Sequence, residues 1–194
     1  FQQALDSGSD QGMVVGEHIR ADDLAINVAK AKHLTNHRGK PSETTDGLTI
    51  NQARQVALGN VDIRTTDGAL TVAADQLGVE TTTGTIFLFA DGGGVGDSLT
   101  VNSPVTTVSG DTTLQADDDV IFGANGDVTA PAGANITITA DVDAVADGAS
   151  GAVTMADGTV VNSGTGQIDI DADEDIALGE LITTNATATA VDVN

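Results

Sequence analysis

Two short runs of aspartate are the part of this sequence best suited to bind a metal ion. The first run is Asp117, Asp118 and Asp119, and the second places Asp171, Asp173 and Asp175 at alternate positions. A Ca²⁺ ion takes about six to eight oxygen ligands, which clustered carboxylates can supply. The two runs therefore predict Ca²⁺ binding, and the alternative interpretation is that all six side chains are solvated turn residues.

These aspartates do not belong to a known calcium loop. The second run opens like an EF-hand, but Ile176 stands where that loop needs glycine and Ile182 stands where it needs glutamate. The glycine-rich stretch 92–96 lacks the Lys-Ser or Lys-Thr pair that ends a phosphate-binding loop. We therefore expect that stretch to be an ordinary loop.

The residues that usually perform catalysis are scarce in this chain. There is no Cys, and the histidines His18, His33 and His37 are irregularly spaced and lack the glutamate of a zinc-protease motif. Paired carboxylates could serve an enzyme that acts on polysaccharides, but a lyase also needs Lys or Arg near the developing enolate. We predict that the protein is not an enzyme and has no cofactor other than Ca²⁺, with a polysaccharide-acting enzyme as the alternative.

Charge is distributed unevenly along the chain of 194 residues, whose formal net charge is −22. All seven Lys and Arg residues and all three His residues lie within residues 1–64, whereas residues 65–194 carry 21 Asp and Glu and no basic residue. So much negative charge repels phosphate backbones and anionic membrane surfaces. We therefore predict no nucleic-acid partner and no direct insertion into a membrane.

One phrase recurs along the chain, and it predicts the fold. A glycine is followed by alternating apolar residues and then by Ala-Asp, in the stretches 68–75, 84–91, 110–117, 133–141, 151–157 and 166–173. The alternation is typical of a strand with one buried face. An imprecise repeat of this kind indicates a solenoid, in which stacked coils share one interior. We predict a parallel β-helix of about six to eight coils.

Two domains are predicted from the change in composition. Residues 46–194 would form the acidic β-helix repeats. Residues 1–45 would be an irregular or early-coil segment that contains all the histidines and most of the basic residues. Within it, residues 22–33 fit a helix, because acids precede bases along the macrodipole, or a strand, because Leu24, Ile26 and Val28 alternate with polar or small residues.

The phrases GALTVAAD, GTIFLFAD, GANITITAD and GQIDIDADEDIALG resemble the repeats of filamentous-haemagglutinin-type bacterial surface adhesins. The resemblance implies a right-handed parallel β-helix that serves as an extracellular or cell-surface stalk or adhesive module. The partners it implies are neighbouring repeats of the same polypeptide, joined end to end, and host glycans or proteins. A Ca²⁺-dependent surface-layer or matrix subunit is a further alternative.

Overall fold

Residues that alternate between apolar and polar form short strands throughout the described part of the chain. The computed structural model describes residues 47–55, 59–142 and 151–194. In the strand Ile86–Ala90, every second side chain is buried and the two between them are half-buried, as a period of two requires. These residues form eighteen strands and no α-helix. Within the described ranges, no helix is therefore long and apolar enough to span a bilayer.

The strands follow one another in sets of three, and each set makes one coil. The first two coils contain β1 (Leu48–Ile50), β2 (Gln52–Gln55), β3 (Val61–Thr65), β4 (Leu70–Val72), β5 (Gly78–Thr81) and β6 (Ile86–Ala90). The next two contain β7 (Leu99–Val101), β8 (Val105–Thr107), β9 (Thr112–Ala116), β10 (Val120–Phe122), β11 (Val128–Thr129) and β12 (Ile136–Thr139). The last two contain β13 (Val153–Met155), β14 (Val160–Gly164), β15 (Ile168–Asp171), β16 (Ile176–Ala177), β17 (Glu180–Thr183) and β18 (Val191–Val193).

Each strand pairs in parallel with the strand three places later, so the coils stack into three six-stranded sheets. Sheet A contains β1, β4, β7, β10, β13 and β16; sheet B contains β2, β5, β8, β11, β14 and β17. Sheet C contains β3, β6, β9, β12, β15 and β18. The predicted fold class, an all-β parallel β-helix, is confirmed. The prediction for residues 22–33 and the domain of residues 1–45 lie outside the described residues.

Columns of aliphatic side chains fill the interior, each column built from one position in successive coils. The fully buried columns are Leu70, Leu99, Val120 and Val153 in sheet A; Val79, Val105, Val128 and Val161 in sheet B; and Leu88, Leu114, Ile138 and Ile170 in sheet C. Because neighbouring coils lie about 4.8 Å apart, each side chain contacts the ones above and below it. Burial of these columns supplies the main stabilising free energy.

The recurring phrase occupies two different sheets, which explains its irregular spacing. The phrases at 68–75 and 151–157 contain β4 and β13 of sheet A, whereas the other four contain β6, β9, β12 and β15 of sheet C. Successive strands of sheet C are 26, 24 and 32 residues apart, measured between the paired positions Ile86, Thr112, Ile136 and Ile168. One phrase therefore does not correspond to one coil, although each phrase does correspond to one buried strand.

Threonine hydroxyls close the corner between sheets B and C. Thr107 Oγ1 donates to the carbonyl of Gly84 in the preceding coil at 3.1 Å and accepts the N–H of Gly110 in its own turn at 3.0 Å. Thr81 makes the equivalent bonds to Gly59 (2.9 Å) and Gly84 (3.3 Å). A Cβ atom on Gly110 would lie 1.9 Å from the Gly84 carbonyl oxygen, so only glycine fits there. The signature of this corner is therefore Thr-x-x-Gly.

We predict that Thr107→Val destabilises the solenoid by about 1–3 kcal/mol, because the buried Gly110 N–H and Gly84 carbonyl lose their hydroxyl partner while the volume is conserved. The matched control is Thr106→Val, since Thr106 is the half-exposed neighbour on the outer face of the same strand. It should change the free energy of unfolding by less than about 0.5 kcal/mol. Urea unfolding followed by circular dichroism measures both, and equal effects would contradict the role given to the corner.

Candidate functional site

The aspartates of both predicted runs lie on one corner of the solenoid, where the chain passes from sheet C to sheet A. We call this the acidic corner; its described connections are residues 66–69, 91–98, 117–119, 141–142, 151–152 and 172–175. The two runs belong to connections two coils apart, or about 10 Å along the stack. The structure therefore aligns them on one corner and does not bring them into a single cluster.

The three aspartates of the first run accept hydrogen bonds from backbone N–H groups. Asp117 Oδ2 accepts the N–H of Gly92 at 2.6 Å. Asp118 Oδ2 accepts the N–H groups of Gly96 and of Asp97, the latter at 2.8 Å. Asp119 Oδ1 accepts those of Gly151 and Ala152 at 3.0 and 2.9 Å. These carboxylates bind neighbouring coils to one another, because their partners lie 21 to 33 residues away in the sequence.

Asp97 is the last residue of the glycine-rich loop and was not predicted from the sequence to be a site residue. Its side chain is buried, with an exposed fraction of 1 %. Its Oδ1 accepts the N–H of Gly68 at 2.5 Å and its Oδ2 accepts that of Gly94 at 3.2 Å. The N–H groups of the loop at residues 92–97 thus donate to carboxylates of the protein itself. Successive backbone N–H groups of this kind commonly bind anions.

The second run is more open to solvent. Asp171, Asp173 and Asp175 are all exposed. Asp171 and Asp173, together with Asp141, line a cavity of about 240 Å³ beside the strand ends of β12 and β15. Asp141 adopts a left-handed backbone conformation, with φ of 55°, which aspartate tolerates better than most residues. This part of the corner is a shallow, polar, acidic surface.

No group of three or more His, Cys, Asp or Glu side chains is placed to hold one metal ion within the described ranges. The Ca²⁺ assignment to the six aspartates stays a prediction. The three histidines lie outside the described residues. These contacts give the acidic corner a structural role, since the carboxylates accept hydrogen bonds from amides that would otherwise be buried without partners.

A second cluster lies on the outer face of sheet C, at the opposite end of the stack from the second run. Asp62 accepts two hydrogen bonds from the Arg64 guanidinium, at 2.8 and 3.0 Å. The guanidinium lies over the ring of Phe87, with Cζ 4.4 Å from the ring centroid. The bond to Arg64 lowers the pKa of the Asp62 carboxyl, and the carboxylate raises the pKa of Arg64.

Comparison with known proteins identifies similarity in the first part of the chain. Residues 9–81 match the TypA/BipA C-terminal domain family. Over 43 residues the chain is 51 % identical to the large ribosomal subunit assembly factor BipA of Synechocystis sp., and over 48 residues it is 46 % identical to the protein of that name from Bacillus subtilis. These stretches cover 22 % and 25 % of this chain but 7 % and 8 % of the two relatives. No solved structure matches the chain.

The matches overturn the predicted identity and function. The resemblance to filamentous-haemagglutinin-type adhesins, the extracellular stalk function, and the matrix-subunit and polysaccharide-enzyme alternatives are contradicted by similarity to a ribosomal assembly factor. The predicted extracellular or cell-surface location is wrong on the same ground. The repeat phrase was misleading because it specifies coil geometry, and a fold does not determine function or compartment.

The predicted partners are wrong as well. Neighbouring repeats and host glycans or proteins are not the partners that the matches indicate, and the exclusion of nucleic acid conflicts with similarity to a factor that assembles a ribosomal subunit. The physical reason is that net charge is a sum over the whole chain and does not show where the cations lie. The first 64 residues carry seven Lys and Arg against eight Asp and Glu, so almost the entire net charge belongs to residues 65–194.

We predict that Asp97→Asn destabilises the protein by about 1.5–3 kcal/mol, because Asp97 uses both oxygens as acceptors and the new amide group would face a backbone N–H. Asp119→Asn is the matched control, since Asp119 accepts both N–H groups with one oxygen, which the amide oxygen of asparagine can replace. Both substitutions remove one negative charge, so the relief of repulsion cancels in the comparison. Equal shifts of the urea midpoint would contradict the acceptor role of Asp97.

Proposed function

We propose that this chain acts as a ribosome-associated binding protein and not as a catalyst, with residues 9–81 making the contact to a ribosomal particle. The observation that carries the proposal is the match of these residues to the TypA/BipA C-terminal domain family. The two relatives bear the name of a large ribosomal subunit assembly factor. RNA is the principal component of such a particle, so RNA is the proposed partner.

The distribution of charge supports contact with RNA through the first part of the chain. Residues 24–42 contain four Lys or Arg and two His and no carboxylate. Cationic side chains that neutralise phosphates supply most of the non-specific affinity for nucleic acid. This stretch lies entirely within the residues that match the family.

The acidic body of the solenoid limits where RNA can bind. Residues 65–194 carry no Lys, Arg or His, so no side chain there can neutralise a phosphate group. The matching residues extend to position 81, within the second coil. The proposal therefore confines phosphate contacts to the residues before position 65 and leaves the acidic coils as a surface that phosphate groups avoid.

We predict that the double substitution Lys30→Glu/Lys32→Glu lowers the affinity of the full chain for purified large ribosomal subunits by at least about tenfold at physiological salt, because two phosphate contacts become repulsive. Co-sedimentation over a range of salt concentrations measures the affinity. The wild-type affinity should fall steeply with salt, and the variant should show a shallower dependence.

Two control variants separate local contact from overall charge. Lys30→Arg/Lys32→Arg keeps both cations and should bind like the wild type. Thr137→Glu/Thr139→Glu adds two negative charges to half-exposed positions of β12 in the acidic body and should weaken binding much less than the lysine substitutions. The proposal is wrong if the wild-type chain does not co-sediment at low salt, or if both negatively charged variants behave alike.

A further inference from the structure

The outer face of sheet C changes character from one end of the stack to the other. Its two outward columns pair in register from coil to coil. The successive outward pairs are Asp62 and Arg64, Phe87 and Phe89, Thr113 and Gln115, Thr137 and Thr139, and Asp169 and Asp171. The first end therefore carries an ion pair and two aromatic rings, the middle is neutral and polar, and the last end is acidic.

The aromatic end is held in a defined arrangement. The rings of Phe87 and Phe89 meet edge to face, with centroids 6.0 Å apart and planes at 80°. Arg64 lies over the Phe87 ring, and its plane is oriented by the paired bonds to Asp62. Both rings are half-buried and Arg64 is exposed. We call Arg64, Phe87 and Phe89 the stacking patch. Phe122, by contrast, is 1 % exposed and belongs to the core.

The stacking patch lies well away from the acidic end of this face. Phe87 and Asp169 occupy one column three coils apart, or about 14 Å. That distance exceeds the Debye length of about 8 Å at physiological salt. Asp62 and Asp91 lie near Arg64 and offset its charge, so the patch suits a neutral, flat group better than a phosphate.

We propose that the stacking patch binds unpaired bases of RNA, with one base stacked on the Arg64 guanidinium and a neighbouring base on Phe89. The inference rests on the proposed function, which supplies RNA as the partner. Unpaired bases stack on aromatic rings and on guanidinium planes. Thr113 and Gln115 in the next coil present donors and acceptors to the base edges.

The experiment measures binding of the full chain to a fluorescein-labelled 12-nucleotide oligouridine by fluorescence anisotropy, with a duplex RNA of equal length as the second probe. Oligouridine is chosen because its bases are weakly stacked on one another. Phe89→Leu keeps the apolar volume and removes the ring, and Arg64→Lys keeps the charge and removes the plane. Each should weaken binding to oligouridine by about tenfold and leave duplex binding unchanged.

The salt dependence separates stacking from phosphate contact. Stacking releases no counterions, so Phe89→Leu should lower the affinity by the same factor at every salt concentration. Thr137→Ala, on the same face two coils further along, is the control and should bind like the wild type. Thermal melting of each variant checks that the coils remain folded.

The inference is overturned if Phe89→Leu and Arg64→Lys, folded by the melting criterion, bind oligouridine as tightly as the wild type; the cluster then only stabilises the first coils. It is also overturned if the wild-type chain does not bind oligouridine. Failure of the proposed function looks different. In that case the lysine substitutions leave ribosome binding unchanged, whereas Phe89→Leu still weakens binding to the oligonucleotide.

Discussion

Buried backbone N–H groups at the corners must find hydrogen-bond acceptors, and the rest of the solenoid depends on how this is done. Asp119 accepts two N–H groups from the coil that follows, and Thr107 bridges a carbonyl of the coil before it to an amide of its own turn. Both arrangements connect one coil to the next. The aliphatic columns supply the free energy of burial, and the corners determine that each coil lies in register on its neighbour.

The hydrogen bonds from backbone N–H groups to carboxylates also help to explain how so acidic a chain folds. Every carboxylate that accepts an amide N–H at a corner is stabilised by dipoles of the backbone and needs no cation. Residues 65–194 can therefore omit Lys and Arg entirely. The cations that remain are concentrated before position 65, where the similarity to the TypA/BipA C-terminal domain lies. One chain thus combines an acidic solenoid with a first segment that contains all of its Lys and Arg residues.

Much of the fold could be predicted from the local sequence pattern. The hydrogen bonds that the aspartates accept from backbone N–H groups could not. Alternation correctly located strands such as β6 and β15, because side-chain direction along a strand has a period of two. The recurring phrase could not show that β4 and β13 belong to a different sheet. Strands of sheets A and C share the same alternation of apolar and polar residues and differ only in the strands with which they pair. The role of Asp97 was not predicted, because its partner Gly68 lies 29 residues away and reaches it only when the coils stack.

What the sequence determined by itself was the kind of element, the all-β solenoid class and the separation of charge, because periodicity and composition are properties of the chain. Only the tertiary structure decided which sheet each strand joins, that Asp117, Asp118 and Asp119 accept backbone amides, and that Arg64 lies over Phe87. The physical reason is that these contacts join residues more than 20 positions apart, and their geometry exists only after the coils have closed on one another.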